Sequence, residues 1–184
     1  DGGSRHHNRI TRYWLYVLGH PVNENEYVFN VINTDSISLR EDTEPCDGQL
    51  VSRNFPDGNS LGQLMRSDDQ WWFEDSWGQH PQDATWGYKG TDAALRYHTE
   101  WMARSRENEY DYSLLIEFFK TVSDSSSTQE ELNRVVDPDL TLMMAAVRGY
   151  IQDWDSLTLS RGKNGYMYRK PTDGRWMFLH WDSD

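Results

Sequence analysis

The segment GYMYRKPTDGRWMFLHWDSD, residues 165–184, constrains the fold more than any other stretch of the chain. GYMYRK and RWMFLHW are short aromatic-rich runs separated by the turn signal PTDG, and they read as the two strands of an antiparallel hairpin. The second run leads straight into Asp182 and Asp184. A carboxylate beside apolar bulk is costly unless a cation, an arginine or solvent meets it. In an antiparallel pair the start of one strand lies beside the end of its partner. Asn164, just before the first strand, is therefore expected beside Asp182, although 18 positions separate them.

The hairpin follows DPDLTLMMAAVRGYIQDW. Asp137 as N-cap and Pro138 in the first turn start a helix there. Its interior, Leu140 to Ile151, is the most apolar stretch of the sequence, which predicts the central core helix. Asp155 falls just past its end. Upstream, NRITRYWLYVLGHP reads as a helix, with Ile10, Tyr13, Trp14, Val17 and Leu18 at helical spacing. NEYVFNVIN, SISLR, GQLVSRNF, GQLMR and QWWFE read as short strands between turn signals. TDAALRYHTEWMARSRE and DYSLLIEFFKTV read as helices, the latter capped by Asp111 or Ser113. A capping box, Ser127 with Glu130, opens a further helix over EELNRVV. The expected fold is α+β in a single domain over residues 1–184, β-rich to about residue 90 and helical from 91 until the terminal hairpin.

Hydrophobic residues make up only 36% of the chain, and the mean hydropathy is −0.87. Nine Trp, ten Tyr and six Phe compensate, since each aromatic buries more surface than an aliphatic residue. For the same reason DDQWWFEDSWG reads as core packing before it reads as a sugar-stacking face. A net charge of −12 argues against nucleic acid and anionic membranes as partners. A phosphorylated ligand would need a bound metal to neutralise it. The single cysteine, Cys46, permits no intrachain disulfide, and the histidines show no zinc spacing. No apolar run is long enough to span a membrane, and no signal peptide opens the chain. A start at DGGS without Met suggests a piece of a longer protein.

Asp155, Asn164 and Asp182 form the constellation with chemistry in it. An amide and a carboxylate oxygen side by side suit Mg2+, with water and substrate phosphates completing its shell. A carboxylate arriving from a helix end could take the proton of an attacking hydroxyl, which is the logic of phosphoryl transfer. The plainer alternative is that Asp155 caps a turn while Asp182 and Asp184 are solvated strand ends.

VDPDLTLMMAAVRGYIQDWDSLTLSRGKNGYMYRKPTDGRWMFLHWDSD resembles the C-terminal half of the spore-coat CotH kinase family. That family has a core helix running into a W-D-S-like segment, an N-x-Y-x-Y strand, and a G-[KR]-W strand ending in W-D-x-D. NEYVFNVIN…SLRED, DGQLVSRNF…GQLMR and SLLIEFFKTV resemble its upstream elements, so the likeness runs from about Asn8 to Asp184. The resemblance implies an atypical protein-kinase-like fold that moves phosphate from ATP, with Mg2+ or Mn2+, to Ser or Thr of surface or coat proteins. It implies Asp155 as the catalytic aspartate, Asn164 and Asp182 as metal ligands, and Asp184 as an auxiliary metal contact or structural acid. Glu41 matches an acid that orients a phosphate-binding base, and Arg66 stands where the family often has Lys. The chain departs from the pattern in two further places. His180 replaces the usual Pro, and nine positions separate Asp155 from Asn164, against five in the usual kinase loop. An extracellular, cell-surface or spore-surface location follows from the same likeness. A different class of function remains beside it: a non-catalytic adhesion module that keeps the fold and binds protein or glycan through an aromatic, acidic face.

Overall fold

The computed structural model describes residues 6–33, 36–56, 62–75, 78–91, 94–105, 111–158 and 162–183. In chain order the elements are α1 (His7–Val17), β1 (Asn25–Ile32), β2 (Ser36–Thr43), α2 (Gly48–Asn54), β3 (Gln63–Ser67), β4 (Asp69–Asp75) and β5 (Gly78–Asp83). Then come α3 (Ala94–Glu100), β6 (Trp101–Ala103), α4 (Ser113–Ser123), α5 (Gln129–Val135), α6 (Pro138–Tyr150), β7 (Gly165–Arg169) and β8 (Trp176–His180). The fold is mixed helix and antiparallel sheet.

The terminal hairpin forms the spine of the molecule. β7 and β8 pair antiparallel from Gly165 opposite His180 to Arg169 opposite Trp176. They sit in a four-stranded sheet of order β6-β3-β7-β8, so strands from both parts of the sequence share it. All five residues of β8 are buried, because both faces of the sheet are covered. One face packs Met65, Met167, Trp176 and Phe178 against Leu115, Phe118 and Phe119 of α4 and against Trp101. The other packs Leu64, Tyr166, Tyr168, Met177 and Leu179 against Cys46, Leu50 and Val51. Strands covered on both sides read as continuous apolar runs rather than alternating ones, and WMFLH is such a run.

That second face explains why GQLVSRNF is a helix and not a strand. Asp47 accepts a bond from the Gln49 amide and caps α2, whose Leu50 and Val51 close the sheet. The long helix expected over TDAALRYHTEWMARSRE also ends early. α3 stops at Glu100, whose carboxylate accepts from the Thr85 amide and pairs with Lys89 at 2.9 Å. Trp101–Ala103 then turns into the edge strand β6 beside β3. Tertiary contacts override helix propensity here. α4 takes Tyr112 at its N-cap with no side-chain cap, although Asp111 accepts from the Ser113 amide. The capping box of α5 is Thr128 with Glu131, one residue later than the sequence suggests.

Two further differences bear on the site. Asp137 does cap α6, with Pro138 in its first turn. Yet α6 is not the central core helix, because it buries only Met144, Val147 and Arg148 while Leu142 is 68% exposed. α4 instead buries Leu115, Phe118 and Phe119 in the larger cluster. The apolar stripe of α1 faces outward, with Ile10, Tyr13, Trp14, Val17 and Leu18 all 43–62% exposed, while Thr11, Arg12 and Leu15 are buried. α1 turns its polar side inward because its partners are polar. The side chains of QWWFE and its neighbours lie outside the described residues, but Trp86 stacks on Phe178 with centroids 4.6 Å apart, which is packing.

Candidate functional site

Arg148 is the last-turn cation of α6 and is only 2% exposed. A buried guanidinium needs nearly all its donors met, and this one meets them from three directions. Its Nε donates to Asp153 Oδ2 at 2.6 Å, in the loop just past the helix. Its Nη1 donates to the Asn164 carbonyl at 2.7 Å, the Trp181 carbonyl at 3.1 Å and His180 Nδ1 at 3.2 Å. Its Nη2 donates to the Asp182 carbonyl at 2.6 Å. One side chain thus ties the residue before β7 to the two residues after β8. Desolvation lowers its pKa, opposed by the carboxylates of Asp153, Asp182 and Asp155.

Asn164 and Asp182 both sit in the left-handed region, at φ 55° and 45°. Asn and Asp are the non-glycine residues that tolerate it best. At Asn164 the side-chain amide donates to the Asp155 carbonyl at 2.9 Å. Lys163, its neighbour, places Nζ 2.8 Å from Asp155 Oδ2. Asp155 is buried, and it therefore meets this loop through both its carboxylate and its backbone. Asp182 Oδ1 accepts from Asn8 Nδ2 of α1 at 3.0 Å.

Behind Asp182 runs an ordered chain of donors. Arg148 donates to His180 Nδ1, which fixes the neutral tautomer, with the proton on Nε2 facing Ser183 Oγ. Ser183 Oγ donates to Thr11 Oγ1 at 2.9 Å, and Thr11 donates to the His7 carbonyl. His180 is fully buried, and desolvation holds its pKa well below the ordinary histidine value, with Arg148, Arg12 and His20 adding to the effect.

Glu41 on β2 pairs with Arg12 of α1 at 2.6 Å, and Asn25 donates to the same carboxylate. Desolvation lowers the Arg12 pKa, opposed first by Glu41 and then by Asp182. Arg12 also borders a cleft of about 840 Å3 between α1 and the base of the β1–β2 hairpin, shared with Tyr13, Asn25, Glu44 and Arg53. Arg66 lies on β3 opposite Tyr166, one residue from Ser67, whose hydroxyl donates to the Gly165 carbonyl. Asp184 lies outside the described residues.

The geometry therefore brings Asp155, Asn164 and Asp182 into one hydrogen-bonded assembly and sets Glu41 beside it through Arg12. Residues with no place in the sequence reading hold it together: Arg12, Arg148, Lys163 and Asn8. A signal for Arg148 was present, since a lone arginine within MMAAVRGY on an apolar helix implies a buried, paired charge.

Hard oxygen donors are what Mg2+ or Mn2+ requires. The Asn164 amide is committed through Nδ2, and Asp182 accepts through Oδ1. Among the described residues no group of three His, Cys, Asp or Glu makes a complete metal cage. No described helix is long and apolar enough to cross a membrane.

The family model for CotH kinase protein matches residues 8–184. No curated protein matches the chain.

Proposed function

The chain belongs to the CotH kinase family, and from that premise we propose that it transfers the γ-phosphoryl group of ATP to Ser or Thr of a surface or coat protein. The observation that carries this reading is the convergence on Arg148, which draws the residues flanking β7 and β8 into contact with the loop bearing Asp155. A kinase-like arrangement of the fold, in one domain, is part of the same proposal.

Asp155 would accept the proton of the acceptor hydroxyl as its oxygen bonds to the γ-phosphorus and the bond from that phosphorus to the β–γ bridging oxygen breaks. ADP then leaves with the bridging oxygen. Lys163 supplies the counter-charge at Asp155 and stands one residue from Asn164. Asn164 and Asp182 would hold Mg2+ or Mn2+, with Asp184 as an auxiliary. The cation would supply charge neutralisation along the phosphate chain. Arg12, held by Glu41, and Arg66 on β3 would be the bases that steer phosphates.

The test is incubation with labelled ATP, Mg2+ or Mn2+, and a Ser-rich acceptor. Asp155→Asn should lower incorporation by about 10²–10⁴-fold, the usual worth of a general base, while leaving nucleotide-induced thermal stabilisation in place. Equal incorporation by the variant would remove the catalytic assignment.

The outward apolar face of α1 supports a second reading, a binding module that has kept the fold without the chemistry. Mg-ATP separates the two. A nucleotide at 100 times its dissociation constant adds about 2.7 kcal/mol of stability, and a pure binding module gains nothing.

A further inference from the structure

Asn164 and Asp182 come from opposite arms of a hairpin, and each adopts a left-handed backbone. Hairpin pairing ends at Gly165 opposite His180, so no strand hydrogen bond fixes either residue. What reaches both is one side chain. Arg148 donates to the Asn164 carbonyl and to the Asp182 carbonyl through separate nitrogens of the same planar fork. Asp153 grips its Nε and sets the rotation of that fork.

We infer that Arg148 is the positioning residue of the metal–phosphate site. It touches neither substrate nor metal, and acts by fixing the spacing between the two oxygen ligands through their own carbonyls. This rests on the proposed function for the identity of the ligand. It goes beyond that reading in assigning the site's geometry to a residue of α6.

A guanidinium does this where an ammonium cannot. Planar donors at fixed angles can hold two carbonyls apart at a set distance, whereas a lysine offers one point charge on a flexible stem. Arg148→Lys therefore keeps the buried charge and removes the ruler. Groups behind the ligands of a metal commonly change its affinity by about 10–100-fold when removed.

The experiment titrates the full chain with Mn2+ plus a non-hydrolysable ATP analogue. Bound Mn2+ is read by electron paramagnetic resonance, and hydrogen exchange is followed over residues 163–166 and 181–183. For Arg148→Lys the expected result is 10-fold or weaker Mn2+–nucleotide binding, faster exchange confined to those two segments, and a cooperative unfolding transition. Asp153→Asn, which preserves shape and loosens the grip on Nε, should move the same readouts in the same direction. It decides the matter if Arg148→Lys does not fold. Wild-type affinity and exchange in a folded Arg148→Lys, or in Asp153→Asn, overturns the inference while leaving the kinase reading intact. Absence of Mn2+–nucleotide binding in the unmodified chain overturns it through the function on which it rests.

Discussion

Consider the substitution Glu41→Leu. Arg12 is 5% exposed in its side chain and Glu41 is 17% exposed. Removing one partner of a buried pair typically costs about 3–5 kcal/mol, because the remaining charge has lost its counter-ion without regaining water. Here two features soften the loss. Glu41 is not fully buried, and Asp182 also acts electrostatically on Arg12. A cost of about 2–3 kcal/mol is expected, just below that range. For a chain of this size each kcal/mol moves the melting temperature by about 2–4 °C, so the drop should be about 4–12 °C. Urea unfolding of the wild type, Glu41→Leu, Arg12→Met and the double variant measures it. Since an apolar pair of similar volume can replace a buried ion pair at little cost, the double variant should be more stable than either single one. Strictly additive losses, or a single-variant cost under about 0.5 kcal/mol, would refute the claim that Arg12 depends on Glu41.

Burial holds His20 and His180 below the ordinary histidine range, so below about pH 6.5 the unfolded chain takes up protons that the folded chain refuses. Stability should be level above pH 7 and fall as the pH drops through 6.5, by up to about 1.4 kcal/mol per pH unit for each histidine. Urea midpoints between pH 7.5 and 5.0 that do not change would contradict this. Gly162→Ala would bring a Cβ to 1.5 Å from the Ala84 carbonyl oxygen, and overpacking of this kind costs about 1–3 kcal/mol. The Gly162 carbonyl accepts from the Ala84 amide and anchors the loop that carries Lys163 and Asn164, so ATP-dependent incorporation should fall along with the unfolding midpoint.

The hairpin was legible because two apolar runs and a turn signal leave a chain few other options. Its register, with Gly165 opposite His180, brings Asn164 and Asp182 to the same end of the hairpin. Asp137 and Pro138 announced α6 by chemistry local to its first turn. The misread elements share a different physics. Leu50 and Val51 form a short apolar run, which does not distinguish helix from strand until something covers it, and the choice was made by a sheet face assembled from residues 64 to 179. β5 contains Pro81 in GQHPQD, which lowers any expectation of a strand. The inward polar side of α1 exists for Asp182 and Ser183, more than 170 positions away. No local pattern encodes such a contact.

The ion pairs around the site also constrain how a metal could arrive. Arg12 is paired with Glu41, Arg148 with Asp153, and Lys163 with Asp155. Among the described residues Asp182 is the carboxylate of this group with no ion pair, and it lies in the field of both Arg12 and Arg148. Each of the three cations is offset by its own carboxylate, so Asp182 leaves the cluster with one negative charge in excess. Under the proposed function that excess charge would draw the cation of a metal–nucleotide complex toward Asp182 and Asn164, while Arg148, buried and hydrogen-bonded, would act only on the backbone that carries them.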